Sequence, residues 1–84
     1  MNEKDEALAR LARDAADAGD AVIADQSLAE MRDVNEKDKA AYSAALRLAR
    51  GGKAEAAAAT AKVIRDVNLR DKTLAKIAKG DTSE

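Results

Sequence analysis

The sequence predicts an all-α protein, a short right-handed stack of antiparallel helical hairpins made of about five helices. Three observations point there: an internal repeat of 33 residues, helix caps and turn glycines that recur in register, and strong helix formers with no Pro anywhere. Asn2-Glu3-Lys4-Asp5 returns as Asn35-Glu36-Lys37-Asp38 and more loosely as Asn68-Leu69-Arg70-Asp71. Arg32-Asp33-Val34 returns as Arg65-Asp66-Val67, Gly19 as Gly52 and Ala24 as Ala57. The 84 residues thus divide into units 2–34 and 35–67, a half-repeat 68–80 and a tail 81–84, all within one domain.

Each unit accounts for two helices. Asn2 is a good N-cap, because its side-chain oxygen can accept an orphan backbone N–H of the first turn. Asp5 stands where a capping box places its acid. The first helix is expected over about 3–18, with Leu8, Leu11, Ala12, Ala15 and Ala18 on its buried face. Glu6–Arg10, Arg10–Asp14 and Arg13–Asp17 fall at i,i+4 on the exposed side. Gly19 ends it, since only glycine enters the left-handed region without steric cost. Asp20 then caps a second helix over about 21–33, which buries Ala21, Ala24, Leu28 and Met31.

The second unit repeats the plan, with helices over about 36–50 and 54–66 joined at Gly51-Gly52. Asp33 and Asp66 close their units just before a cap asparagine and are expected to pair locally with Arg32 and Arg65. A last helix over about 69–79 carries Lys76 and Lys79 near its C-terminal end, where cations suit the helix dipole. Asp81–Glu84 is expected to fray.

Composition sets the energetics. Hydrophobic residues make up 46% of the chain, but Ala dominates them and Tyr42 is the sole aromatic. Burial contributes about 25 cal/mol per Å², so a core this poor in large side chains requires close helix contacts or a partner. The run Ala56-Ala57-Ala58-Ala59 fits a close contact inside the chain and, alternatively, the interface of a homo-oligomer.

Composition also narrows function. Fifteen basic against sixteen acidic residues argue against a nucleic-acid binder, which carries a basic excess. Without Cys or His, thiolate chemistry and imidazole metal sites are excluded. Ser27, Ser43, Ser83, Thr60, Thr73 and Thr82 have no His to activate them, so no catalytic set is expected. Gly51-Gly52 lacks the following Gly-Lys-Ser or Gly-Lys-Thr of a phosphate loop, and Asp14, Asp17 and Asp20 lack the alternation of a calcium loop. No cofactor, metal or membrane partner is expected, and a natural chain of this kind belongs by default in the cytoplasm.

Within each unit the pattern resembles the tetratricopeptide-repeat family. Leu8, Leu11, Ala12 and Ala15, the Gly19-Asp20 turn, Ala24 and Leu28 stand where that family keeps its packing residues. Ala41, Ala44, Ala45, Leu48, Gly52, Ala57 and Ala61 follow in the second unit. The period is 33 rather than 34, the Pro near the repeat end is missing, and so are the large aromatics of the first helix.

The resemblance implies a scaffold or protein-binding module whose first helices line a concave groove. On this chain the groove receives Glu6, Arg10, Arg13, Lys39, Tyr42, Ser43, Leu46, Arg50, Lys72, Lys76 and Lys79. The candidate peptide-binding residues are Arg13, Lys39, Tyr42, Leu46, Arg50, Lys72 and Lys76, a Tyr–Leu patch rimmed by cations that would hold an acidic peptide or a carboxylate. For Tyr42 and Leu46 the plainer reading is that they cover the Ala-rich core or meet a second copy. A rival from another class is an engineered helical chain with no biological function, favoured by the lack of Cys, His, Pro, Phe and Trp and by the short array. The imperfection of the repeats argues the other way.

Overall fold

A computed structural model describes residues 2–84, and these form five helices with no strand among the described residues. They are α1 (Glu3–Asp17), α2 (Ala21–Glu30), α3 (Val34–Arg50), α4 (Ala54–Ala61) and α5 (Val67–Lys79). The longest, α3, sits at the centre. It packs against α1 on one side and against α4 and α5 on the other, while α1 also packs on α2, and α2 and α4 touch. The molecule measures 34 × 27 × 18 Å along its principal axes.

Alanine fills much of the interior. Ala9, Ala12 and Ala16 of α1, Ala40, Ala41, Ala44 and Ala45 of α3, and Ala57 and Ala61 of α4 are all buried. Larger side chains are few: Leu28, Met31, Leu46, Leu48 and Ile64 supply most of the apolar bulk at the centre. Ala57 lies within the core cluster formed by Ala16, Ala44 and Leu48, so the alanine run of α4 turns one side inward.

The turns follow local chemistry. Asp5 donates its N–H to Asn2 Oδ1 at 2.7 Å, and Ile23 donates to Asp20 Oδ1 at 3.0 Å, the two caps expected from the sequence. Gly19 adopts φ +77°, and the Asp20 N–H reaches back to the Ala15 carbonyl at 2.8 Å. This is the wrapped-back bond of a Schellman end. The turn recurs at Gly52, where Lys53 N–H meets the Leu48 carbonyl at 3.0 Å.

Several expectations are corrected. The buried face of α1 is Asp5, Ala9, Ala12, Ala15 and Ala16, whereas Leu11 is 48% exposed and Ala18 is also exposed. Helix α2 stops at Glu30 rather than 33, and α4 at Ala61 rather than 66. The next helices start early, at Val34 and Val67, capped by Asp33 and Asp66 in place of Asn35 and Asn68.

The cause is a pair of carboxylates. Asp5 is fully buried and accepts N–H bonds from Arg32 (3.2 Å) and Asp33 (2.9 Å), 27 and 28 residues ahead. Asp38 does the same for Arg65 (2.9 Å) and Asp66 (3.1 Å). Both connectors are held extended there, which ends one helix and frees Asp33 and Asp66 to cap the next. Asp5 therefore acts on the connector between α2 and α3 rather than as the acid of a capping box. The Asp33 amide is the main cause of a carboxyl pKa below the ordinary aspartate value; burial opposes it, and Arg32 adds to it. Asp71, third in register, is exposed, and no hydrogen bond or ion pair reaches its side chain among the described residues.

Candidate functional site

The cationic groove assigned from the sequence divides into two parts. In the first half of the chain, Arg13 and Lys39 line a shallow open concavity with Glu6, Ala9, Arg10 and Glu36. Lys39 pairs there with Glu36 at 3.7 Å. Two acids among the lining residues offset the cations, so this part has no strong preference for an anion. Asp17, offered to Arg13 at i,i+4, instead takes Arg47 of α3 at 2.8 Å.

The second part is built by α3 and α5. Ser43 and Arg47 lie one turn apart on α3, and Arg50 follows at its end. Lys72 and Lys76 lie one turn apart on α5, with their Nζ atoms 5.9 and 6.0 Å from the centre of the Tyr42 ring. At such distances an ammonium is attracted to the face of the ring. Lys72 and Lys76 thus meet at Tyr42, and Tyr42 and Arg50 both reach residue 84. Leu46 does not join them: it is fully buried between the layers and belongs to the core. It lies one turn from Tyr42, on the side of α3 that is turned away from solvent.

What these groups surround is the segment expected to fray. At Gly80, φ +77°, the chain reverses, and the Asp81 N–H bonds to the Lys76 carbonyl at 2.9 Å. Only a left-handed residue continues the path this way. Residues 81–84 then lie along α3 and α5. Ser83 folds onto Asp81, donating through N–H (3.1 Å) and Oγ (2.6 Å) to Oδ1, and Lys76 pairs with Asp81 at 3.6 Å. Arg50 Nη2 donates to the Thr82 carbonyl at 3.0 Å.

Glu84 is the focus. Ser43 Oγ donates a short hydrogen bond to Oε1, Arg47 Nε approaches Oε2 at 3.2 Å and Arg50 Nη2 at 3.5 Å. Tyr42 OH donates to the main-chain oxygen of Glu84 at 3.0 Å. Partial burial pushes the Glu84 carboxyl up, but the Ser43 hydroxyl and the two guanidiniums more than offset it and hold its pKa below the ordinary glutamate value. Asp81 is lowered as well, first by the Ser83 hydroxyl and amide and then by Lys76.

Two contributors were not assigned from the sequence. Arg47 occupies the register position of Asp14 in the first unit, and that exchange of an acid for a guanidinium was the available signal. Glu84 could have been matched to the groove by charge, given a glycine placed to turn the chain. No group of three or more Asp or Glu among the described residues is arranged to hold a metal ion, and none of the described helices is long and apolar enough to cross a membrane. In comparisons with known proteins the chain matches no family model, no curated protein and no solved structure.

Proposed function

We propose that this chain is a non-enzymatic helical-repeat scaffold or peptide-binding module, tetratricopeptide-like, with two and a half hairpins in a right-handed stack. The recurrence of the Gly19 and Gly52 turns and of the Asp5 and Asp38 carboxylate bonds, each at an offset of 33, supports the repeat. Contacts of α1 with α3, of α3 with α5, and of α2 with α4 support two layers stacked in chain order. One observation carries the binding role: Tyr42, Ser43, Arg47 and Arg50 converge on a single glutamate in an extended segment. A surface that orients one carboxylate with a hydroxyl and two guanidiniums is equipped for acidic peptides.

The test is a panel of immobilised acidic, neutral and basic peptides probed with the parent chain and with an Arg47→Glu/Arg50→Glu variant. Selective retention of acidic peptides, lost in the variant, is the expected result. Equal retention across the panel, or turnover of any substrate by the pure protein, would end the proposal. A second reading, self-association, is favoured by the exposure of Leu11, Val22 and Ile23 on the first hairpin. It is rejected if sedimentation finds a monomer at high micromolar concentration. An engineered origin without biological function predicts no selectivity in the panel.

A further inference from the structure

Resting on the reading of the α3–α5 groove as an acidic-peptide site, we infer that residues 81–84 are its ligand in cis, so that the chain regulates its own groove by occluding it. The segment uses the same groups an incoming peptide would need. Ser43, Arg47 and Arg50 are spent on the Glu84 carboxylate, Tyr42 on its main-chain oxygen, and Arg50 again on the Thr82 carbonyl. Recognition of main chain and side chain together is what peptide grooves do, and here the peptide is supplied four residues beyond Gly80. A tether this short gives an effective concentration on the order of millimolar. A second copy's tail therefore competes poorly at ordinary concentrations, and occupancy in cis wins.

The contact is built to be reversible. It is held by hydrogen bonds and ion pairs, Arg50 and Asp81 are about half exposed, and the chain reverses at Gly80 with φ +77°. An external peptide binds only the fraction of molecules whose tail has left, and its apparent affinity falls by that fraction. A tail seated about nine-tenths of the time thus weakens the external ligand about tenfold.

The experiment uses the full chain and a dye-labelled pentapeptide, Gly-Asp-Thr-Ser-Glu, blocked at both ends and titrated to millimolar protein with anisotropy as readout. Glu84→Ala removes the cis carboxylate. Glu55→Ala, an exposed residue of α4, makes the same change in net charge elsewhere. Glu84→Ala is expected to bind the peptide at least about fivefold more tightly than the parent, Glu55→Ala to match the parent, and a peptide with Gln in place of Glu to bind neither. Emission from Tyr42, the only aromatic, should change in Glu84→Ala without peptide and stay constant in Glu55→Ala. Equal affinity of parent and Glu84→Ala, or an unchanged Tyr42 signal, overturns the cis occlusion and leaves the peptide-binding reading intact. Binding by none of the three proteins overturns both.

Discussion

Replacing Asp38 isolates what one buried carboxylate contributes to holding the connector between α4 and α5 against α3. Its two oxygens accept the Arg65 and Asp66 amides at 2.9 and 3.1 Å, and the residue is 6% exposed. Hydrogen bonds to a charged acceptor contribute about 1.5–3 kcal/mol each, and a donor left without a partner costs about 1–3 kcal/mol when water cannot replace it. Arg65 and Asp66 are themselves exposed, so water recovers part of the loss, and about 1–1.5 kcal/mol per amide is the fitting end of the range. Asp38→Ala should therefore cost about 2–3 kcal/mol, a fall in Tm of about 8–24 °C for a domain of this size.

Asp71 is the internal control. It is the fifth residue of α5 as Asp38 is of α3, so helix propensity and the dipole act alike at both. Asp71→Ala should change stability by no more than about 0.5 kcal/mol. Urea and thermal unfolding followed by far-ultraviolet circular dichroism measure both variants. If the two lose stability equally, or Asp38→Ala loses none, the carboxylate does not hold the connector and the explanation of the helix ends fails.

Other consequences can be checked alongside. Leu46→Ala should cost about 3 kcal/mol in the same assay, since the side chain is fully buried; a neutral result would return Leu46 to the groove. Gly52→Ala should cost about 1 kcal/mol through backbone conformation alone, because φ is +85° and the space beside its Cα is empty. Asp5 and Glu84 have folded-state pKa values below their unfolded ones, so their stabilisation is complete above the ordinary carboxylate range, near pH 4, and is lost as pH falls through the lowered values. Denaturation midpoints measured from neutral pH downward should fall in that window, and Asp5→Asn should reduce the fall. Tyr42→Phe should leave global stability within about 0.5 kcal/mol, as expected for a half-buried hydroxyl bonded to an exposed segment.

Features that depend on neighbours in sequence were legible, and those that depend on distant partners were not. Gly19, Gly52 and Asp20 announce their turns because a left-handed backbone and a cap are local requirements. The connectors after α2 and α4 are held by Asp5 and Asp38, whose acceptors reach 27 and 28 residues along the chain, beyond any local window. The face of α1 was misplaced because alanine occupies several of its sides, and a pattern made of one small residue has little directional contrast. Ala9 and Ala16 are buried where Leu11 is not. Beside α3 and α5, Tyr42, Arg50, Lys72 and Lys76 were singled out through charge and register. Arg47 and Glu84 meet only once Gly80 has folded the last segment back.

The Arg32, Asp33, Arg65 and Asp66 amides belong to no helix ladder, and amides in such connectors ordinarily trade their hydrogens with solvent within seconds. Here each points at a carboxylate that lies one hairpin earlier in the chain. Exchange at these positions must wait until the amide parts from its carboxylate, so a deuterium pulse would find slower sites here than a secondary-structure map predicts for connectors.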